Sequence, residues 1–300
     1  MESQTVNSSG HVESGQPAHS ISKIRTWWTY FRVSIEERMV YRGDFIIGIM
    51  MRFLPFATQV FMYWAIYETL QEGTSADGSL NGDISGYSFY NLIAYLLLVT
   101  VTRAFSSMPG LTSGIANSVR NGEVKKYLIQ PIDMVGFMLV QRIAHKLVYY
   151  VMAFLPFAFW FFLFRSCFTD GFPEWHIFGC YLLSLVMAFA LGFFLETCMG
   201  LIAFWYLEVT SLTFIYMLLN FFLSGHMFPL DWLPSGFEWA ISALPFQYLA
   251  YFPAAVFLGK VSGPDLYWGL AVEFAWVLFF ILLSRLLWKR GVNRYSGFGG

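Results

Sequence analysis

Charge and cysteine are both scarce in this chain. Only 12% of its 300 residues are Asp, Glu, Lys or Arg and the formal net charge is −1, so no basic field exists to attract a nucleic acid. The 3 cysteines, Cys167, Cys180 and Cys198, are odd in number and fall in no C-x-x-C spacing, from which neither a disulfide framework nor a zinc site follows. Phosphate-loop chemistry is missing as well: Gly259-Lys260 lacks both the earlier glycine of G-x-x-x-x-G-K-S/T and the hydroxyl that should follow. The chain is therefore expected not to bind ATP itself. H-E-x-x-H, G-x-S-x-G and a His with a carboxylate at catalytic spacing are absent too, so no catalytic residue, metal or cofactor is expected. Any energy for work must come from a partner.

What the chain has instead is apolar length. Hydrophobic residues make up 57% and aromatic ones 20%, and the mean hydropathy is +0.55, the composition of an all-α polytopic membrane protein. Residues 1–22 are polar, lack the basic start and apolar core of a signal peptide, and are expected to be a disordered cytoplasmic tail. Residues 23–300 then read as one transmembrane domain. Between 23 and 42, Ile24, Trp27, Trp28, Phe31, Ile35 and Met39 recur at three and four residues among Lys23, Arg25, Arg32, Arg38 and Arg42. That spacing predicts an amphipathic helix lying in the interface, its tryptophans among headgroups and its basic side chains on an anionic cytoplasmic leaflet.

Six spans follow: roughly 45–67 (with Pro55 inside), 87–104, 147–164 (continuous with an interfacial helix that starts near Asp133 as its N-cap), 177–204, 211–223 and 266–288. The fifth is short for a bilayer. Of the 18 Lys and Arg, only Arg165 and Lys260 fall on the side assigned to the exterior, which places both termini in the cytoplasm. Between the second and third spans lies a basic loop, 103–146, in which Leu111, Ile115 and Val119 share one helical face, Gly122 stops the helix and Pro131 breaks the chain again. Before the last span, residues 224–263 are apolar yet broken by Pro229, Pro234, Pro245 and Pro253, which no straight spanning helix accommodates. A re-entrant outer hairpin is predicted there. Glu196 and Glu273, acidic side chains within spans, are costly in hydrocarbon and are candidate functional residues.

Four stretches carry a family resemblance. "VRNGEVKKYLIQPID" resembles the coupling-helix loop of the membrane (permease) subunits of second-class ABC exporters, the family of bacterial drug, polysaccharide and lantibiotic exporter subunits. "YRGDFIIGIM" resembles the opening of that family's first span, and "WKRGVNRYSGFGG" the close of one bacterial subgroup. The order Ser224, Gly225, Phe228, Pro229, Leu230, Leu233, Pro234, Leu244, Pro245, Phe246 is similar to the stretch before the family's last span. Gln130, where a basic residue is common, and His226, where a small or apolar one is usual, depart from it.

The resemblance implies a bacterial inner-membrane permease that works with separate ABC ATPase subunits, where ATP and Mg are bound, and with a second permease as homodimer or homologous heterodimer. In such proteins the loop sits in a groove of the ATPase, which makes Arg120, Gly122, Glu123, Lys125, Lys126 and Pro131 the expected coupling residues. The hairpin becomes an expected outer gate, with Gly225, Phe228, Pro229, Leu233, Pro234, Phe237 and Pro245, closing a path for a hydrophobic or amphipathic substrate moved outward. Membrane lipids are the remaining partner. Two other readings stay open at this point: an ion-coupled secondary transporter using Glu196 and Glu273, although no inverted repeat is visible, and a membrane-embedded scaffold or enzyme.

Overall fold

The structure is a computed structural model that describes residues 23–40, 42–72, 84, 86–130, 132–169, 171–206, 208–234, 236, 241 and 243–295. The 1–22 tail, Pro131, Phe237 and the 73–83 loop lie outside the described residues. Ten helices are named here: α1 (Lys23–Val40), α2 (Arg42–Glu72), α3 (Phe89–Ser106), α4 (Leu111–Arg120), α5 (Lys125–Ile129), α6 (Met134–Leu163), α7 (Trp175–Leu201), α8 (Thr210–Leu223), α9 (Tyr251–Phe257) and α10 (Gly263–Arg294). Among the described residues extended pairing is limited to one isolated bridge, Ile84 with Tyr87. That is what a lipid-facing chain requires, because a helix satisfies its own backbone polar groups and an open sheet edge does not.

Among the described residues five stretches are long and apolar enough to cross a membrane: Ile46–Leu70, Phe89–Arg120, Met134–Leu163, Trp175–Phe204 and Gly263–Arg294. Of the six expected spans, the fifth falls short, since α8 has 14 residues and so reaches about 21 Å against a hydrocarbon core of about 30 Å. Local chemistry fixes several helix ends. Ser88 caps α3 by accepting from the Asn91 amide, and Asp133 caps α6 by accepting from Gly136 N–H, where the sequence predicts a cap. Pro55 sits within α2 as expected.

The centre of the bundle is α7, which packs against α10, α4, α3 and α9. One of its stripes explains this: Ser184, Ala188, Gly192, Glu196 and Gly200 recur every four residues, and small residues at that spacing let helix backbones approach closely. At Gly192 a Cβ would lie 2.0 Å from the Ser106 carbonyl oxygen, and at Gly200 one would lie 2.7 Å from Ile115 Cβ. Between helices in lipid the hydrophobic effect gives little, so this close dispersion contact is the main attraction available.

Two apolar clusters line the bundle. The larger is built from α2, α3, α6, α7, the segment before α10 and α10 itself; the smaller gathers Met108, Leu111, Ile115, Val119, Phe193, Phe194, Leu201 and Phe204 around α4. Between α8 and α9 the prolines do what their geometry dictates: Pro229 precedes a 3₁₀ turn, Leu230–Trp232, and Pro245 opens another, Pro245–Leu249. This stretch presses into the bundle. Ser106 Oγ donates to the Leu249 carbonyl at 2.7 Å, and Tyr251 N–H donates to Ser224 O at 2.9 Å.

Candidate functional site

The loop between α3 and α6 forms a knuckle. Leu111, Ile115 and Val119 of α4 are buried together on the predicted face, while Asn117, Arg120 and Asn121 are exposed and Ser118 is half-buried. Gly122 reverses the chain at φ 76°, a left-handed conformation that residues with a Cβ rarely adopt. Val124, fully buried, then anchors the turn, and α5 follows with no buried residue at all. Its apolar end points outward, with Ile129 83% exposed and Leu128 46%.

The charges around the knuckle are paired only at the surface. Arg120 donates to Asn117 Oδ1 at 2.7 Å and lies 3.8 Å from Glu208; Glu123 accepts from Ser118 Oγ at 3.4 Å and meets Lys126 at 3.6 Å. The Thr210 hydroxyl and amide, with Arg120 beyond them, hold the Glu208 carboxyl below its ordinary range. Lys125 is exposed. Exposed ion pairs of this kind contribute about 0–1 kcal/mol, so they yield readily to a partner's charges. The structure thus brings Arg120, Gly122, Glu123, Lys125 and Lys126 to one tip, and Pro131 lies outside the described residues.

Above the knuckle, α3 and α4 are separated by Ser107–Gly110. Pro109 has no N–H and Gly110 takes φ 72°, so carbonyls at the end of α3 lose their helical donors. Side chains of α6 replace them: Lys146 Nζ donates to Ala104 O at 2.5 Å and Ser107 O at 2.6 Å, and Arg142 donates to Pro109 O at 2.9 Å. A cation at a helix C-terminus also complements the macrodipole. From α7, Glu196 accepts from Met108 N–H at 3.3 Å, while its own carbonyl accepts from Thr112 Oγ at 3.1 Å. On the other side Arg103 donates to Asn220 Oδ1 at 3.1 Å. Glu196 therefore ties the break to α7.

Glu273 sits apart from this network. It is fully buried between α7 and α10, where Ser184 Oγ donates to Oε2 at 2.7 Å and Oε1 has no hydrogen-bond partner among the described residues. The two intramembrane acids are not brought together by any contact among the described residues.

The segment before α10 is stapled to α2 and α3 by phenols. Tyr63 donates to Met227 O at 2.8 Å, Tyr95 to Gly225 O at 2.6 Å, and Tyr87 to Asp231 Oδ2 at 2.6 Å; Tyr251 donates to the other carboxylate oxygen. Lys260 donates to Gly86 O at 2.9 Å and lies 4.3 Å over the Tyr87 ring, a cation–π contact. Gly225 is enclosed at φ 77°, where a Cβ would come within 2.7 Å of both Tyr251 Cβ and Tyr95 Oη. Of the expected gate residues, Pro229 and Pro245 are buried, Phe228 and Leu233 are half-buried against the larger cluster, Pro234 is exposed, and Phe237 lies outside the described residues.

Several residues that organise these sites carry no local signal. Arg142 and Lys146 read as topology-setting charges, and their carbonyl partners lie 33 to 42 positions away. Asp231 and its tyrosines meet across as many as 144 positions. The signal that was available is the S-S-M-P-G run at 106–110, whose proline and glycine mark a helix break.

Five long apolar helices around a small-residue spine, with polar side chains spent on backbone breaks, define a multi-pass membrane protein. The model of a family described as ABC-2 family transporter protein matches residues 53–299, more than half of the chain, and the chain belongs to that family. It is thus the permease component of an ABC transporter, a family that generally works with ABC ATPase subunits. No curated protein matches the chain. Family membership displaces the secondary-transporter and scaffold readings.

Proposed function

We propose that this protein is the membrane subunit of an exporter in a bacterial inner membrane, with both termini in the cytoplasm, driven by separate ATPase subunits that carry ATP and Mg. In this reading it has no catalytic site or cofactor of its own. A second permease, the same chain or a homologue, completes the path, because one set of spans is too few for a two-fold symmetric pathway. The cargo is a hydrophobic or amphipathic molecule moved outward, and α8 together with the segment behind it makes the sixth crossing. The proline-broken segment caps the outer side of the permease seam as a gate, with Phe228 and Leu233 as apolar closure.

The observation that carries the ATPase assignment is α5. A cytoplasmic tip that leaves Leu128 and Ile129 exposed beside Glu123, Lys125 and Lys126 has the apolar centre and charged rim of a protein-docking surface. Force applied there reaches the bundle through α4, which is held to α7 at Gly200 and through Thr112 and Glu196.

The test is whether a neighbouring reading frame encodes a Walker-motif ATPase, and whether that ATPase co-purifies with this chain and has its hydrolysis stimulated by it. Ile129→Asp and Glu123→Arg should each weaken docking by about 2 kcal/mol, roughly 30-fold, while leaving the permease in the membrane. Gly122→Pro should do the same by a different route, because proline locks φ near −65° and Gly122 needs 76°. Unchanged co-purification and turnover in all three variants would remove the docking assignment.

A further inference from the structure

Beside the knuckle, between α1, α4, α5 and the first turns of α6, lies a cavity of about 490 Å³. This is a size usual for small-molecule sites. Its polar wall carries Lys126, Arg142, Gln130, Gln141 and Ser118, and among the described residues no carboxylate lines it. Glu123 meets Lys126 at 3.6 Å from outside the lining, and Arg142 is held in place by its bond to Pro109 O, leaving the rest of its planar fork of donors. The opposite wall is aromatic and apolar: Tyr30 and Tyr127 flank Phe137, with ring centroids at 5.3 and 5.9 Å, and Met138 lies alongside. Gly114 opens onto the space, since a Cβ there would meet nothing within 4 Å.

Two cations and several neutral donors facing an apolar wall match an anion on an amphipathic body. An arginine fork and a lysine together recognise phosphate. The cavity's position selects the source. Tyr30 belongs to α1, whose neighbours Trp27 and Trp28 are of the type that sits at headgroup depth, and Trp28 is 64% exposed. We infer that the cavity between α1 and the α4–α5 knuckle binds the phosphate headgroup of an anionic phospholipid from the cytoplasmic leaflet. Lys126 and Arg142 hold the phosphate, and Phe137 and Met138 meet the first apolar atoms below it. Because Lys126 also belongs to the knuckle, lipid occupancy and the position of α5 are linked.

The inference rests on the cytoplasmic placement of the knuckle and not on ATPase docking, so it is tested on the purified permease alone. Thermal unfolding is followed in micelles doped with phosphatidylglycerol, with phosphatidylcholine, or with soluble glycerol 3-phosphate. Phosphatidylglycerol near saturation should raise Tm by about 3 °C and phosphatidylcholine should not. Gly114→Leu, which fills the cavity without touching its charges, and Lys126→Gln should each abolish most of that rise. Equal shifts with both lipids, or a phosphatidylglycerol shift undiminished in a folded Lys126→Gln protein, would overturn the site. A full shift from glycerol 3-phosphate alone would overturn the lipid source. Labelling of a cysteine at Ser118 from outside sealed cells would instead defeat the topology, which separates that failure from failure of the cavity.

Discussion

The tightest glycine contact among the described residues offers the sharpest test of the packing. Gly192→Ala would place a methyl group 2.0 Å from the Ser106 carbonyl oxygen, and ordinary contact begins at 3.4 Å. Backbone lies on both sides, so neither α3 nor α7 can yield by changing a rotamer. The helices must separate, and overpacking of this kind costs about 1–3 kcal/mol. Separation also stretches the bonds from Met108 N–H to Glu196 and from Thr112 Oγ to the Glu196 carbonyl, already 3.3 and 3.1 Å long. Each contributes about 0.5–1.5 kcal/mol, so the expected loss is about 2–6 kcal/mol in all. Gly179→Ala on the same helix is the control, because a Cβ there meets nothing within 4 Å. Helix propensity makes that change neutral or stabilising by up to about 1 kcal/mol. Unfolding of the detergent-solubilised protein by sodium dodecyl sulfate, followed by circular dichroism, should separate the two variants widely. Coincident midpoints would refute the close α3–α7 contact.

Three further changes probe the polar devices. Lys146→Met removes the donor to Ala104 O and Ser107 O; two charge-assisted bonds worth about 1.5–3 kcal/mol each are lost, partly offset by no longer burying a charge, so the same titration should show a net loss of about 1–3 kcal/mol. An unchanged midpoint would mean that water already satisfies those carbonyls. Asp231→Ala leaves the Tyr87 and Tyr251 hydroxyls without their shared acceptor, and should speed proteolytic cleavage within residues 224–263 several-fold in the purified protein; an unaltered cleavage rate would show that the staple does not hold the segment. Cysteine at Ser262 should react with a membrane-impermeant thiol reagent added to intact cells lacking Cys167, whereas cysteine at Ser118 should react only after permeabilisation, and the reverse pattern would invert the topology.

Hydropathy makes the long helices legible because a bilayer imposes one requirement on every spanning residue, and the ends of α3, α6 and α10 accordingly fall close to where composition changes. The Asp133 cap and the Leu111–Ile115–Val119 face are legible for a similar reason, being local patterns of three or four residues. Glu196 illustrates what is not. Within a span it reads as an expensive acid, yet it belongs to the four-residue stripe of α7 and answers an amide freed 88 positions earlier. The tyrosines around Asp231 are likewise ordinary apolar-span residues until the fold gathers them. At the knuckle, glycine and charge mark the turn, but the exposure of Ile129 depends on α5 touching the bundle through Tyr127 while its far end is left uncovered, which no local pattern encodes.

The polar pairs also have an order in time. Lys146 and Arg142 meet carbonyls of residues 104–109, Glu196 meets Met108, Asn220 meets Arg103, Glu273 meets Ser184, and Arg285 meets Asp133 at 2.7 Å. In each pair the later member, as the ribosome makes the chain, finds its partner already synthesised. Where the charged member is the later one, as for Arg142, Lys146, Glu196, Glu273 and Arg285, the costly side chain enters a bilayer in which its answer has already been made, whereas Arg103 waits for Asn220; α10 closes two such pairs at once, through Glu273 and Arg285.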